Sequence, residues 1–272
     1  MAPTVHLIRH AEGFHNLGHA NQQLPDPLLT PTGVAQCYKL GEDFPYTKQI
    51  DLVVASPLKR AIYTALYAFD VVLREKDLQI LALPEVQETS DLPCDTGSSV
   101  NELQQEFRGK PVDLNYLSQT WNRKDGKWSA VREKIIERAK DVREWLQSRK
   151  EDHIVVVTHG GFLHYLTEDW SGYNHLSGRC LRYSVQKQFS YNQLTLCLGT
   201  GWANTEFRTY VFDESRSKSA NLIETEESKW RRLKNVKAMG ETKRRSSQSN
   251  QGYRQMQSRS TSNSTSHAPE KV

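Results

Sequence analysis

A chain of 272 residues with 37% hydrophobic content supports one generous core and is lean for two full domains. The net charge of +4 is unevenly placed: from Arg216 onward thirteen Lys or Arg stand against five Asp or Glu, so residues 1–215 hold four more acids than bases. A mildly acidic body argues against a nucleic-acid partner, four cysteines without finger or C-x-x-C spacing argue against a zinc module or disulfide framework, and no apolar run approaches the ~18 residues of a membrane span.

The first apolar stretch runs straight into Arg9 and His10, and a protein that is cytoplasmic, soluble and not secreted is expected. Thr4 to Ile8 reads as a short strand ending at a polar turn, followed by a helix over Thr32 to Leu40. Leu52 to Val54 is a buried-type strand, Leu58 to Leu73 a helix, and Leu78 to Leu83 a strand. Residues 84–129 break this rhythm with Pro84, Pro93, Gly97, Gly109, Pro111 and Gly126 around two shorter helical pieces, which reads as an inserted cap. A charged helix over Ala130 to Ser148 presents Val131, Ile135, Val142, Trp145 and Leu146, and Ile154 to Val157 is another buried strand. Ser190 to Leu198 and Thr209 to Phe212 close the domain as strands.

The alternation predicts an α/β protein: a three-layer α/β/α sandwich with a mostly parallel sheet, a helical and loop cap, and a disordered basic tail. The catalytic domain is expected over 1–215, a linker or amphipathic helix over 216–240, centred on Ser228 to Met239, and a tail of disordered composition over 241–272. The sequence does not define an oligomeric state.

Chemistry gathers where the apolar strands end. Leu7-Ile8-Arg9-His10 places a guanidinium fork, which matches phosphate oxygens two at a time, beside an imidazole able to attack. Val157-Thr158-His159-Gly160-Gly161 presents a second His and a glycine pair whose backbone N–H groups can approach an anion. Ser56-Pro57-Leu58-Lys59-Arg60 opens a helix with Arg60 in its first turn, at the positive end of the dipole.

With these motifs in view, the chain resembles the histidine phosphatase superfamily, in the branch that includes phosphoglycerate mutases and related small-molecule phosphatases. The matching residues are Arg9-His10 with Glu12 and Asn16, Leu29-Thr30 with Gly33 and Gln36, Ser56-Pro57-Leu58 with Arg60-Ala61 and Thr64, and Thr158-His159-Gly160, in family order. The resemblance implies that His10 is phosphorylated, that Arg9, Arg60 and His159 hold the phosphoryl group, and that Asn16 lines the pocket. It draws a proton donor from a Glu after the next strand, which makes Glu88 the first choice and Asp95, in Cys94-Asp95-Thr96-Gly97, the second. Gly160 and Asp95 complete the expected binding set.

Two departures stand beside the motifs: the family's usual Gly and Ser are Ala11 and Gly13 here. The mutases' Glu followed by Arg, His, Tyr and Gly is also absent, which favours hydrolysis of a small phosphorylated metabolite over mutase activity. A non-catalytic phosphate-binding module is the other rival. No metal and no cofactor are expected, because Arg9 lies among His6, His10, His15 and His19 and repels a cation. Cys94 reads as an ordinary buried thiol, and Trp121, Trp128 and Trp145 as packing residues.

Overall fold

The computed structural model describes residues 2–170, 201–213, 215 and 220–234. The expected strand over Ser190–Leu198 and the tail lie outside the described residues. Residues 1–225 form one compact unit and 226–272 a second, of which 226–234 are helical.

The first unit is built on a seven-stranded sheet of β1 (Thr4–Arg9), β2 (Leu52–Ala55), β3 (Ile80–Ala82), β4 (Val112–Asp113), β5 (His153–Thr158), β6 (Phe207–Phe212) and β7 (Leu222–Glu224), in the order β4-β3-β2-β5-β1-β6-β7. Strands β4 to β1 along that order are parallel, while β6 and β7 return antiparallel. Because side chains alternate between faces, each buried strand feeds two cores. Val53, Ala55, Val155 and Val157 pack with α1 (Pro31–Asp43), α2 (Lys59–Ala68), α3 (Asp70–Glu75) and α4 (Val100–Glu106). Val54, Ile154, Val156 and Leu7 pack on the other face with α5 (Arg132–Gln147) and α6 (Gly160–Thr167). The mixed α/β architecture with a mostly parallel sheet is therefore present.

Three local readings change. The helix expected over Leu58 to Leu73 is broken into α2 and α3 at Phe69, whose ring turns inward to meet Phe44 edge-on at 5.4 Å. The 84–129 segment is more than a cap: Val112–Asp113 joins the sheet beside β3, and Leu103, Phe107 and Trp121 are core residues. The span read as a linker holds β7, paired with β6; three residues on an edge are too few to leave a periodic signal. No helix among the described residues is long and apolar enough to cross a membrane.

Candidate active site

Register aligns the strand ends. Arg9 pairs with Thr158, the His10 amide donates to the Thr158 carbonyl at 2.8 Å, and the Ser56 amide donates to the Val157 carbonyl at 2.9 Å. The three chemically loaded turns thus emerge side by side at the carboxyl edge of the sheet, where open α/β folds bind ligands.

The 10–13 loop is clamped from the start of α1. Thr30 accepts a hydrogen bond from the Gly33 amide at 2.9 Å, capping the helix, and donates to the Glu12 carboxylate at 2.7 Å. Gln36 accepts from the Glu12 amide at 2.8 Å. Position 33 must be glycine, since a Cβ there would lie 2.1 Å from the Glu12 carbonyl oxygen. The second sequence motif is therefore a scaffold for the first. Ala11 keeps a negative φ, and its amide donates to the Thr64 hydroxyl at 3.0 Å, so replacing the usual Gly costs no strain.

His10 is buried, and its Nδ1 lies 2.7 Å from the Ala11 carbonyl oxygen. A carbonyl can only accept, so Nδ1 carries the proton and Nε2 keeps its lone pair. That lone pair faces Arg60, whose Nε is 3.3 Å away. Arg60 is the hub of the site: the same buried guanidinium donates to the Cys94 carbonyl at 2.6 Å, to Asp95 at 2.8 Å and to His159 Nδ1 at 3.2 Å. His159, accepting at Nδ1, donates through Nε2 to Ser56 Oγ at 2.7 Å, and its ring lies 5.0 Å from that of His10. Burial first, and the Arg60 charge second, push both imidazoles well below the usual histidine range, so each is neutral.

Arg9 donates to the Trp202 carbonyl at 2.6 Å and is held below its ordinary range by burial. Asn16 lies at the rim, its side-chain oxygen accepting from the Gly13 amide at 3.0 Å. Gly160 opens α6 directly after His159. The next two amides of α6 are already used: Gly161 and Phe162 donate to the Glu88 carboxylate at 3.2 and 3.0 Å. The anion at that helix end is thus a side chain of the protein itself. Burial, followed by the nearby Asp95 charge, raises the Glu88 pKa despite those hydrogen bonds. Asp95 does not cap its own turn. Its carboxylate takes Arg60 on one oxygen and the Ser90 hydroxyl on the other.

The histidine phosphatase superfamily (branch 1) matches residues 5–203, well over half the chain. The chain belongs to the histidine phosphatase superfamily. Among its relatives, phosphoglycerate mutase-like protein 1 of Arabidopsis thaliana is 31% identical over 199 residues, covering 59% of this chain and 69% of that one. A "probable phosphatase" of Schizosaccharomyces pombe is 26% identical over 159 residues, covering 58% and 74%. The solved structure of ecdysone phosphate phosphatase from Bombix mori, in complex with tungstate, superposes with a TM-score of 0.52 at 16% identity, covering 82% of this chain and 92% of that chain, which supports a shared fold.

The structure places further residues around the candidate site that the sequence did not single out. Asp26, buried between Pro25 and Pro27, accepts from the Lys59 amide at 3.0 Å and from the Ser98 amide and hydroxyl at 3.0 and 2.8 Å, tying the segment that carries Asp95 to the helix that carries Arg60. An acid framed by two prolines was its available signal. Arg138 donates from α5 to the carbonyls of Gln87 and Glu88 at 2.7 and 3.3 Å. Lys124 donates to Gln87 Oε1 at 2.8 Å, and burial brings its pKa down to about 8; in Asn122-Arg123-Lys124-Asp125 nothing distinguishes it from its neighbour. Cys94 contributes its carbonyl rather than its thiol, which burial pushes up to about 12. Trp121 packs against Gly97 inside the core.

Proposed function

We propose that this chain is a phosphatase that hydrolyses a small phosphate monoester through a phosphohistidine at His10, without a metal ion. The observation that carries the reading is the commitment of His10 Nδ1 to the Ala11 carbonyl, which leaves the unprotonated Nε2 aimed at the Arg60 guanidinium. A phosphoryl group that displaces the Arg60 Nε hydrogen bond would meet the freed Nε2 lone pair as nucleophile with the guanidinium charge beside it.

In the first step His10 Nε2 attacks phosphorus and the bond to the ester oxygen breaks. The departing alkoxide takes a proton from Glu88, whose raised pKa fits a reserve acid. Arg60, Arg9 and His159 stabilise the equatorial oxygens, and the incoming negative charge opposes the burial and, second to it, the Arg60 charge that keep His159 neutral. In the second step water attacks phosphorus, gives its proton to the Glu88 carboxylate, and the N–P bond breaks to return the lone pair to Nε2. Asp95 serves by holding Arg60 through a pair of buried groups rather than by protonating the leaving group. Asn16 and Gly160 line the site.

Residues 1–225 carry this chemistry, and removing residues 241–272 is expected to leave it intact. The location is cytoplasmic, which the buried free thiols of Cys37 and Cys94 fit. The mutase-like names of relatives favour one alternative, transfer of the phosphoryl group to a second hydroxyl. Product analysis on a panel of phosphorylated sugars, acids and nucleotides separates the readings. Inorganic phosphate supports hydrolysis, an isomeric phosphoester supports the mutase, and neither product with any substrate, aryl phosphates included, supports a binding module.

A further inference from the structure

His15 lies two residues beyond Gly13 on the short turn Phe14–Leu17, and this turn is anchored at its start. The Asn16 side chain accepts from the Gly13 amide at 3.0 Å, Asn21 donates to the Phe14 carbonyl at 2.9 Å, and Gly13 bridges to Leu29. The turn sets the His15 ring 5.3 Å from the His10 ring, centroid to centroid. Its Nδ1 is shielded from solvent and has no hydrogen-bond partner among the described residues. The same ring crowds position 13. A Cβ at position 13 would lie 2.8 Å from His15 Nδ1 and Cε1, although the backbone there, at φ −103°, is open to any residue. The Leu28 carbonyl oxygen, 3.2 Å from the same point, crowds it as well.

We propose that His15 is a substrate-contacting residue: its Nδ1 hydrogen-bonds an oxygen of the tetrahedral oxyanion bound beside His10, and Gly13 makes the room for it. The inference rests on the reading that a phosphoester binds there. A buried polar atom without a partner is costly in the empty protein and becomes satisfied when a ligand supplies an oxygen. Burial first, then the Arg60 and Arg9 charges, hold His15 neutral with a pKa down at about 2, so in its Nδ1–H tautomer it offers a donor without adding charge or competing with His10 as a base. The contact therefore contributes to binding and alignment of the phosphoryl group, while proton transfer stays with Glu88.

The test is orthovanadate affinity by titration calorimetry, with KM and kcat on an aryl phosphate in parallel, for wild type, His15→Asn, His15→Gln and His15→Phe. The amide of Asn overlies imidazole Nδ1, whereas that of Gln reaches the Nε2 position. His15→Asn should bind vanadate within about threefold of wild type, and His15→Phe and His15→Gln should be weaker by about tenfold or more, with KM rising in step. Equal affinity across the four proteins, or an Asn variant as weak as the Phe variant, would overturn the proposal; the Asn–Gln pair decides if His15→Phe fails to fold. Gly13→Ser should weaken vanadate as His15→Phe does by displacing the ring, and adding His15→Phe to it should cost nothing more; additive losses would contradict the coupling. Vanadate binding without any turnover would sink the phosphatase reading while leaving this one standing, and turnover with unchanged variant affinities would do the reverse.

Discussion

The two halves of the site are held in different ways. The half that holds the imidazoles and guanidinium groups sits on strand ends, where hydrogen-bonded register places His10, Ser56 and His159 side by side. The acidic half, residues 84–98, lies outside the sheet in loops and two short 3₁₀ turns, and its carboxylates are placed by individual hydrogen bonds: Glu88 by the backbone amides opening α6, Asp95 by Arg60 and Ser90, and the segment as a whole by Asp26 and Arg138. Position in the first half is a property of the fold. In the second it depends on a few individual contacts, so a distant change there shifts the acid without unmaking the sheet.

The largest expected effect lies in the acidic half and separates its two carboxylates. Glu88→Gln should lower turnover of alkyl phosphates by roughly two to four orders of magnitude and that of nitrophenyl phosphate far less, because a nitrophenolate leaves with little need of a proton. Asp95→Asn should instead reduce both substrates alike, since it loosens Arg60 rather than removing a proton donor. Steady-state kinetics on the two substrate classes checks this, and the opposite pattern would exchange the roles.

A smaller effect is expected from the tether. Asp26→Asn removes an acceptor from either Lys59 or Ser98 and should destabilise the fold by about 1–3 kcal/mol while lowering kcat roughly tenfold. Thermal unfolding with parallel kinetics reads both, and full activity would mean that Asp95 does not need this anchor.

Legibility from sequence follows the same division. Strand ends bearing Arg9-His10, Arg60 and His159 announce themselves because a buried apolar run stops at a polar group, a signal local to a few residues. The parallel sheet was readable for the same reason. Asp26, Arg138 and Lys124 act across long separations and leave no local pattern. The break at Phe69 and the short strands Val112–Asp113 and Leu222–Glu224 are decided by tertiary packing and by edge pairing. At position 13 the sequence shows only a Gly where the family has Ser, whereas the structure shows the His15 ring and the Leu28 carbonyl crowding the place of a Cβ.

The smallest effect tests the electrostatics of the ordered half. A histidine whose folded pKa lies below its unfolded value leaves the unfolded chain binding more protons, so stability falls as pH drops through about 6.5. His10, His15 and His159 all act in that direction, whereas Glu88 and Asp26, with raised folded pKa values, gain stability as pH falls toward the ordinary carboxylate range. A difference measurement isolates one group. Between pH 6.5 and 5.5 His10→Asn should lose about 1 kcal/mol less stability than wild type in denaturant unfolding, and parallel curves would mean that His10 is not held neutral.

The central claim is the nucleophile, and rapid quenching with a phosphorus-labelled ester tests it most directly. Label that is acid-labile and base-stable, carried on the peptide containing His10 at Nε2 and absent from His10→Asn, is the expected result. Label on a Cys, Ser or Asp, or turnover by His10→Asn with no trapped intermediate in wild type, would contradict the account.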